Sequence, residues 1–557
     1  MPRSRRILCA CLFLIFVAPS FGLAQLAAPA AGALTAEQWK ADVEFLSAKL
    51  QAMHPAPFRK LDRATFETNL AVFEGRVGSF SREQAVVGIM RLVASLEDGH
   101  TAIPPDFLRA FGFHVLPLRF YVYGDGLYLQ AGDRQYQEGL GGKLVSIGDT
   151  PAAEVYKKLR TITSHDNALT IDGRLPGFLI VPEILAGLGV VENPAVDVPL
   201  KLEHGGRVVK LLVKPVVAPG SESMSVARVA YTSDWVDSAP ANLPLWLRHA
   251  DKPYWFEYQA DTKTIYVQYN QCTSDAADPM PAFADRLRSE ISARSPDRIV
   301  LDLRLNSGGE GYWNKPLFLA LLKSDQIDRK GKFFVLIGRE TFSAGSILAI
   351  DLDRFSKAIF IGEPTGGAVQ NFGNHERVAL PNSGLFVMIA TKYYQNDGPF
   401  DDRPWIAPEI TATLSQKDYE AGRDPALQAA VAYVPPEQVL KADLLAAPVG
   451  DAGKVFVRFK SDAKYQYLQI EPVLNALGYD FIGSKDFSRA IAVFQIATKE
   501  NPQSANAFDS LGDAYRAAGK TSAAIENYRR ALEINPAWYS SRNSLKELGV
   551  ELPGGGH

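Results

Sequence analysis

Cysteine is nearly missing from this chain: three among 557 residues, at positions 9, 11 and 272. Cys9 and Cys11 fall in an N-terminal apolar run, so Cys272 alone remains downstream and has no disulfide partner there. Preceded by the strand-like "IYVQYN", Cys272 reads as a small hydrophobe in a core. Metal-ligand patterns are lacking too. The eight histidines form no HExxH, and no cysteine or histidine pair has ligand spacing, so neither a metal nor a cofactor is expected. A dominant charge is also lacking. Basic and acidic side chains number 59 and 62, and a net −3 offers no footprint for nucleic acid or an anionic membrane.

The apolar run "ILCACLFLIFVAP" is short for a bilayer span. It follows the basic "MPRSRR" and precedes the small residues of "SFGLAQ", the pattern of a secretory signal with cleavage near Ala24. The expectation is a periplasmic or secreted protein with no membrane span after removal of residues 1–24. Three arginines leave with the signal, which takes the net charge to about −6.

The length exceeds what one hydrophobic core supports, so several domains are expected. Residues 33–112 read as helical: "TAEQWKADVEFLSAKLQAMH" and "SREQAVVGIMRLVASLED" each open on Thr or Ser with a nearby Glu, as in a capping box. Residues 113–218 read as β-rich, with "LPLRFYVYG", "GLYLQAG", "KLVSIGD" and "RVVKLLVKPV" between Gly and Asp turns. From 219 to 435 strands such as "TIYVQYNQ", "RIVLDLR", "FFVLIG", "AIFIG" and "LFVMIATKYY" alternate with helices, an α/β layer pattern. Residues 436–472 read as a connection. Residues 473–550 hold a repeat: Leu474, Leu477, Gly478, Phe481, Ala490, Phe494, Ala497 and Pro502 recur 34 positions on as Phe508, Leu511, Gly512, Tyr515, Ala524, Tyr528, Ala531 and Pro536. These are tetratricopeptide positions, where small residues let paired helices approach. Two repeats and a partial helix are fewer than such arrays need, so the module is expected to lean on the main body or on a second subunit.

Chemistry concentrates around "GKFFVLIGRETFSAGSILAIDL", residues 331–352, where a polar turn joins two apolar segments. A serine at a strand-to-helix turn lies beside free N–H groups that can stabilise an oxyanion. A serine there can equally be a helix cap, and the turn alone does not separate Ser343 from Ser346. Three neighbours raise the catalytic reading. "VLDLRLNSGG" (300–309) ends a strand in paired glycines, "IGEPTGGAVQN" (361–371) supplies a second glycine turn, and "LEDGHTAI" (96–103) places His100 after a helix.

Together, "DGHT", "DLRLNSGG", "TFSAGS", "GEPTGG" and "IAPEI" resemble the tail-specific, or C-terminal-processing, serine peptidase family over roughly residues 40–415. The resemblance implies a multidomain α/β chain. Its parts are an N-terminal helical segment, a PDZ-like β-rich domain, a crotonase-like peptidase core and all-α tetratricopeptide repeats. It makes Ser343 the nucleophile and assigns the oxyanion hole to Gly308, Gly309 and Ala344. A lysine base is excluded: its turn position is Ala368, and no lysine lies between Lys357 and Lys392. The sequence is similar instead to the tricorn-like branch, which implies His100 as base and Asp402, or its neighbour Asp401, as the supporting acid. His375 is the rival base, and Glu363 and Thr365 are expected to brace their turn. The implied activity is hydrolysis of peptides or unfolded proteins through an acyl-enzyme. The alternatives are a non-catalytic binding protein on this fold and a hydrolase of a non-peptide ester or amide. The repeats imply a protein partner, and an oligomer is open.

Overall fold

A computed structural model describes residues 34–217, 232–323 and 329–551; the expected signal peptide lies outside them. Three helices, Ala36–Met53, Arg63–Arg76 and Arg82–Ala94, open the fold. Both predicted capping boxes form, but glutamine closes them. Thr35 Oγ1 accepts the Gln38 N–H while Gln38 Oε1 accepts the Thr35 N–H, and Ser81 with Gln84 repeats this pattern. Glu37 and Glu83 stand one residue earlier, near the positive end of each helix.

The β-rich sheet has strands β1 (Leu118–Tyr123), β2 (Gly126–Asp133), β3 (Lys143–Ile147), β4 (Thr150–Pro151), β5 (Val198–His204), β6 (Arg207–Val213) and β7 (Trp235–Asp237). Its antiparallel order is β1-β2-β3-β5-β6, with β4 on β3 and β7 on β2. The sheet therefore recruits a strand from beyond residue 218, where sequence reading ended this region. Its inward residues, among them Leu118, Leu129 and Leu200, share one core with Val43, Leu46 and Ile89 of the N-terminal helices.

The second sheet has β8 (Tyr254–Gln259), β9 (Thr264–Tyr269), β10 (Arg298–Asp302), β11 (Phe333–Ile337) and β12 (Ile359–Gly362). Two short ribbons follow: β13 (Gln370–Gly373) pairs β16 (Lys392–Gln395), and β14 (Glu376–Ala379) pairs β15 (Phe386–Ile389). "LFVMIATKYY", read as one strand, is thus two. The break falls at Ala390 and Thr391, where Ala390 N–H turns to donate to Thr101 Oγ1 instead of a strand neighbour. Closing strand β17 (Ile410–Thr411) completes the order β17-β12-β11-β10-β9-β8, parallel except for β8.

Alternation in this sheet explains how the repeats attach. Ile299, Leu301, Phe333, Val335 and Phe360 face the helices Met280–Arg294, Asn314–Leu322 and Ala344–Phe355. Val300, Phe334, Leu336, Ile359 and Ile361 point the other way, into a core with Leu440, Phe456, Phe459, Leu474 and Phe481. The stretch 436–472, read as a connection, carries helices that pack on this sheet. Pro436–Leu445 and Ala452–Lys460 are helices whose three- and four-spaced apolar residues cover the sheet. The repeat helices Ile470–Gly483, Phe487–Glu500 and Ala505–Ala517 continue that core, and Thr521–Ile534 buries Ala524 and Tyr528 in a separate small cluster with Leu545. The module does lean on the main body, which supplies the burial that two repeats lack. None of the described helices is long and apolar enough to cross a membrane.

Candidate active site

Strands β10, β11 and β12 run parallel, so their C-terminal ends deliver three loops to one edge of the sheet. The loop after β11 carries Ser343 at φ 51°, ψ −126°, a left-handed conformation that a serine adopts only under constraint. Thr341 supplies much of that constraint. Its hydroxyl donates to Leu303 O at 2.8 Å and accepts Gly338 N–H, while its carbonyl accepts Gly366 N–H and the Ser346 hydroxyl. One residue thereby ties all three loops together. Ser346, fully buried, spends its hydroxyl on that carbonyl at 2.8 Å. Ser343 occupies the N-cap position of Ala344–Phe355 but makes no capping hydrogen bond. The cap role that sequence left open is thus not performed by its side chain. Its hydroxyl lies 2.9 Å from His100 Nε2.

His100 arrives from the N-terminal helices, 243 residues upstream of Ser343. Its ring stacks on Phe342 with centroids 4.6 Å apart, and the Arg174 guanidinium also lies over Phe342, 4.6 Å from the ring centre. Arg174 Nη1 donates to Gly99 O and Ser164 O. Burial pushes the His100 imidazole down to about 4; Asp98 opposes that shift, and Arg174 and His375 reinforce it. His375 is half-buried with its centroid 6.4 Å from that of His100, and among the described residues it has no hydrogen bond to Ser343.

The loop expected to hold the oxyanion follows β10. Gly308 and Gly309 take φ +111° and +126°, open to glycine alone at little cost. A Cβ on Gly308 would stand 2.6 Å from Ser343 Cβ and 3.2 Å from Ala344 N, so the loop lies directly against Ser343. Asn306 pins it: Oδ1 accepts Gly308 N–H at 3.0 Å, Nδ2 donates to Tyr269 O, and the Asn306 carbonyl accepts Phe342 N–H. Gly308 N–H is therefore already committed. Gly309 and Ala344 N–H have no hydrogen-bond partner among the described residues, which leaves these two of the three expected amides uncommitted. Cys272 backs the loop as a buried thiol, pushed by burial up to about 12, with Sγ 3.4 Å from Asn306 Oδ1.

The expected acids are not brought to His100. Asp402 is exposed and does not bond His100, whose buried Nδ1 has no hydrogen-bond partner among the described residues. Asp401 turns to Arg403, which also pairs with Asp353. The reason is local: Arg403 sits two residues from Asp401 and folds the loop onto the helix carrying Asp353. Two other buried carboxylates flank the DGHT turn. Asp98 Oδ1 accepts the His100 N–H at 2.9 Å and Oδ2 lies 3.1 Å from His54 Nε2. Burial would raise Asp98, but the His54 hydrogen bond and the charge of His100 hold it below the usual carboxylate range. Asp166 accepts Gly99 N–H at 2.7 Å; burial and the Asp98 charge push it up to about 6. Sequence reading missed Asp98 and Asp166, although Asp98 stands inside the quoted motif. As expected, Glu363 and Thr365 brace. Glu363 pairs with Arg339, and Thr365 Oγ1 accepts Ile406 N–H.

Residues 315–412 match the family model described as peptidase family S41, and residues 512–538 match that of the TPR repeat. Among solved structures, mature CPAF is similar with a TM-score of 0.51 at 14% identity, over 77% of this chain and 99% of that one. Mature CPAF complexed with lactacystin gives 0.50 at 14% identity, over 71% and 97%. The photosystem II D1 C-terminal processing protease gives 0.35 at 14% identity, over 71% and 96%. The segment matched to the peptidase family contains Ser343 and the "GEPTGG" turn, while His100 and the two oxyanion-loop glycines lie outside it.

Proposed function

We propose, from the premise that this chain carries a peptidase family S41 domain and is a serine-type peptidase, that it cleaves peptide bonds with Ser343 and His100. The carrying observation is the 2.9 Å approach of His100 Nε2 to the Ser343 hydroxyl. Ser343 Oγ attacks the scissile carbonyl carbon as its proton passes to His100 Nε2, and the Gly309 and Ala344 N–H groups receive the oxyanion. Collapse of that intermediate breaks the C–N bond, and His100 returns the proton to the leaving amine, leaving an acyl-enzyme on Ser343. Water, activated by the same imidazole, then releases the acyl group. The signal-like N-terminus supports export to the periplasm or beyond. The repeats support a protein partner, and the substrate class this reading favours is peptides or unfolded proteins.

Fluorophosphonate labelling tests the assignment without a known substrate. Wild type and Ser346→Ala are expected to label, Ser343→Ala and His100→Ala are not, and a labelled Ser343→Ala variant would overturn it.

The depressed imidazole makes a pH prediction. Below pH 6.5 the unfolded chain binds the His100 proton first, so stability falls by about 3 kcal/mol as pH drops to about 4. Asp166 works the other way: the folded state takes its proton near pH 6 while the unfolded value is 3.8, which restores about 3 kcal/mol over nearly the same window. Stability should therefore change little while His100 titrates. The acid limb of the labelling rate is expected below about pH 5.5, and a limb at 6.5 or above would contradict the buried, unpartnered imidazole.

A further inference from the structure

A base pushed this low accepts a proton poorly unless something nearby stabilises the imidazolium, and the expected acid does not reach His100. The geometry points to Asp98 as the positioning carboxylate for His100, acting from within the DGHT turn and itself held by His54. This rests on the Ser343–His100 reading.

Three observations carry it. Asp98 is 1% exposed, and its Oδ1 accepts the backbone N–H of His100 itself, so its charge is fixed to the residue it would serve. His54 Nδ1 accepts the Ala56 N–H at 3.1 Å, so in the neutral ring the proton sits on Nε2 and donates to Asp98 Oδ2. The second carboxylate, Asp166, is spent on Gly99 N–H, and Lys60 Nζ donates to its backbone carbonyl. The groups facing His100 are Asp98, Arg174 and His375; those facing Asp98 are His54, His100, Asp166, Arg174 and His375. Arg174 and His375 disfavour the imidazolium, so Asp98 is the group among them that favours it. The proton itself travels only from Ser343 Oγ to His100 Nε2 and on to the leaving amine. Asp98 remains ionised throughout and acts through the imidazole.

The test is the pH profile of fluorophosphonate labelling for wild type, Asp98→Asn, Asp402→Asn, His54→Ala and His54→Gln. Asp98→Asn should slow labelling at pH 7 by roughly 10- to 100-fold and move the acid limb to lower pH, because the charge opposing burial is gone. Asp402→Asn should stay within about twofold with an unmoved limb. His54→Ala should slow labelling several-fold and His54→Gln, which keeps an N–H toward Asp98, should restore it. A larger loss with a shifted limb in Asp402→Asn, or an unchanged profile in Asp98→Asn, overturns the assignment. Should Asp98→Asn fail to fold by thermal unfolding, the two His54 variants decide, and equal rates overturn it. An unlabelled wild type removes the Ser–His reading itself, and this inference with it.

Discussion

Ser343→Ala should lower peptide turnover by roughly 10⁴- to 10⁶-fold, the range seen when a serine hydrolase loses its nucleophile. The same change should leave stability within about 0.5 kcal/mol. Both halves follow from one fact. Among the described residues the Ser343 hydroxyl caps nothing and hydrogen-bonds only His100, so removing it should take away the reacting atom and no structural bond. His100→Ala should cost nearly as much, and the double variant little more, because the two act as a unit. Ser346→Ala inverts the pattern: its hydroxyl holds the Thr341 carbonyl, so it should lose about 1 kcal/mol of stability and keep activity within a few-fold. Steady-state turnover beside thermal unfolding checks all four. A Ser343→Ala enzyme that kept a tenth of its activity would move the nucleophile elsewhere.

Much of this was legible in the chain, and the reasons differ by feature. Strands β10, β11 and β12 are buried on both faces, so they announce themselves as apolar runs, and the loops after them carry their chemistry in adjacent residues. The Ser343 turn and the two glycines are local patterns of this kind. The tetratricopeptide positions recur at a fixed period and are read by arithmetic. What stayed hidden is what only tertiary structure brings together. Asp166 meets Gly99 across 67 residues and Asn167 reaches Pro404 across 237, so no window of sequence holds both partners. The supporting acid was sought in "FDDRP" by resemblance, and there the path of the loop decides: Arg403 takes Asp401, and Asp402 points to solvent. The helices at 436–472 are short amphipathic segments, and the surface they cover belongs to a sheet whose residues, such as Val300, Phe334 and Ile361, lie far upstream in the chain.

Gly308→Ala should reduce activity by roughly 10²- to 10³-fold, the loss typical of disabling an oxyanion donor, while the fold survives. The glycine is needed twice. At φ +111° an alanine is strained by about 1–3 kcal/mol. Its methyl would also occupy the gap between the nucleophile and the amide that receives the oxyanion, 3.1 Å from Ser343 Oγ and 3.2 Å from Ala344 N. The polypeptide can relieve that clash only by moving the loop away, and Asn306 resists by holding Gly308 N–H, Tyr269 O and Phe342 N–H at once. Strain at this rigid loop therefore falls on the spacing between Gly309 N–H, Ala344 N–H and Ser343. Gly309→Ala should fold worse, since its Cβ would meet the Cys272 carbonyl at 2.4 Å, a backbone atom that cannot rotate away. The contrast is measurable. Gly308→Ala is expected to lose turnover with a modest fall in melting temperature, and Gly309→Ala to lose both. Gly308→Ala turnover within a few-fold of wild type would mean that the developing oxyanion is held somewhere other than between these loops.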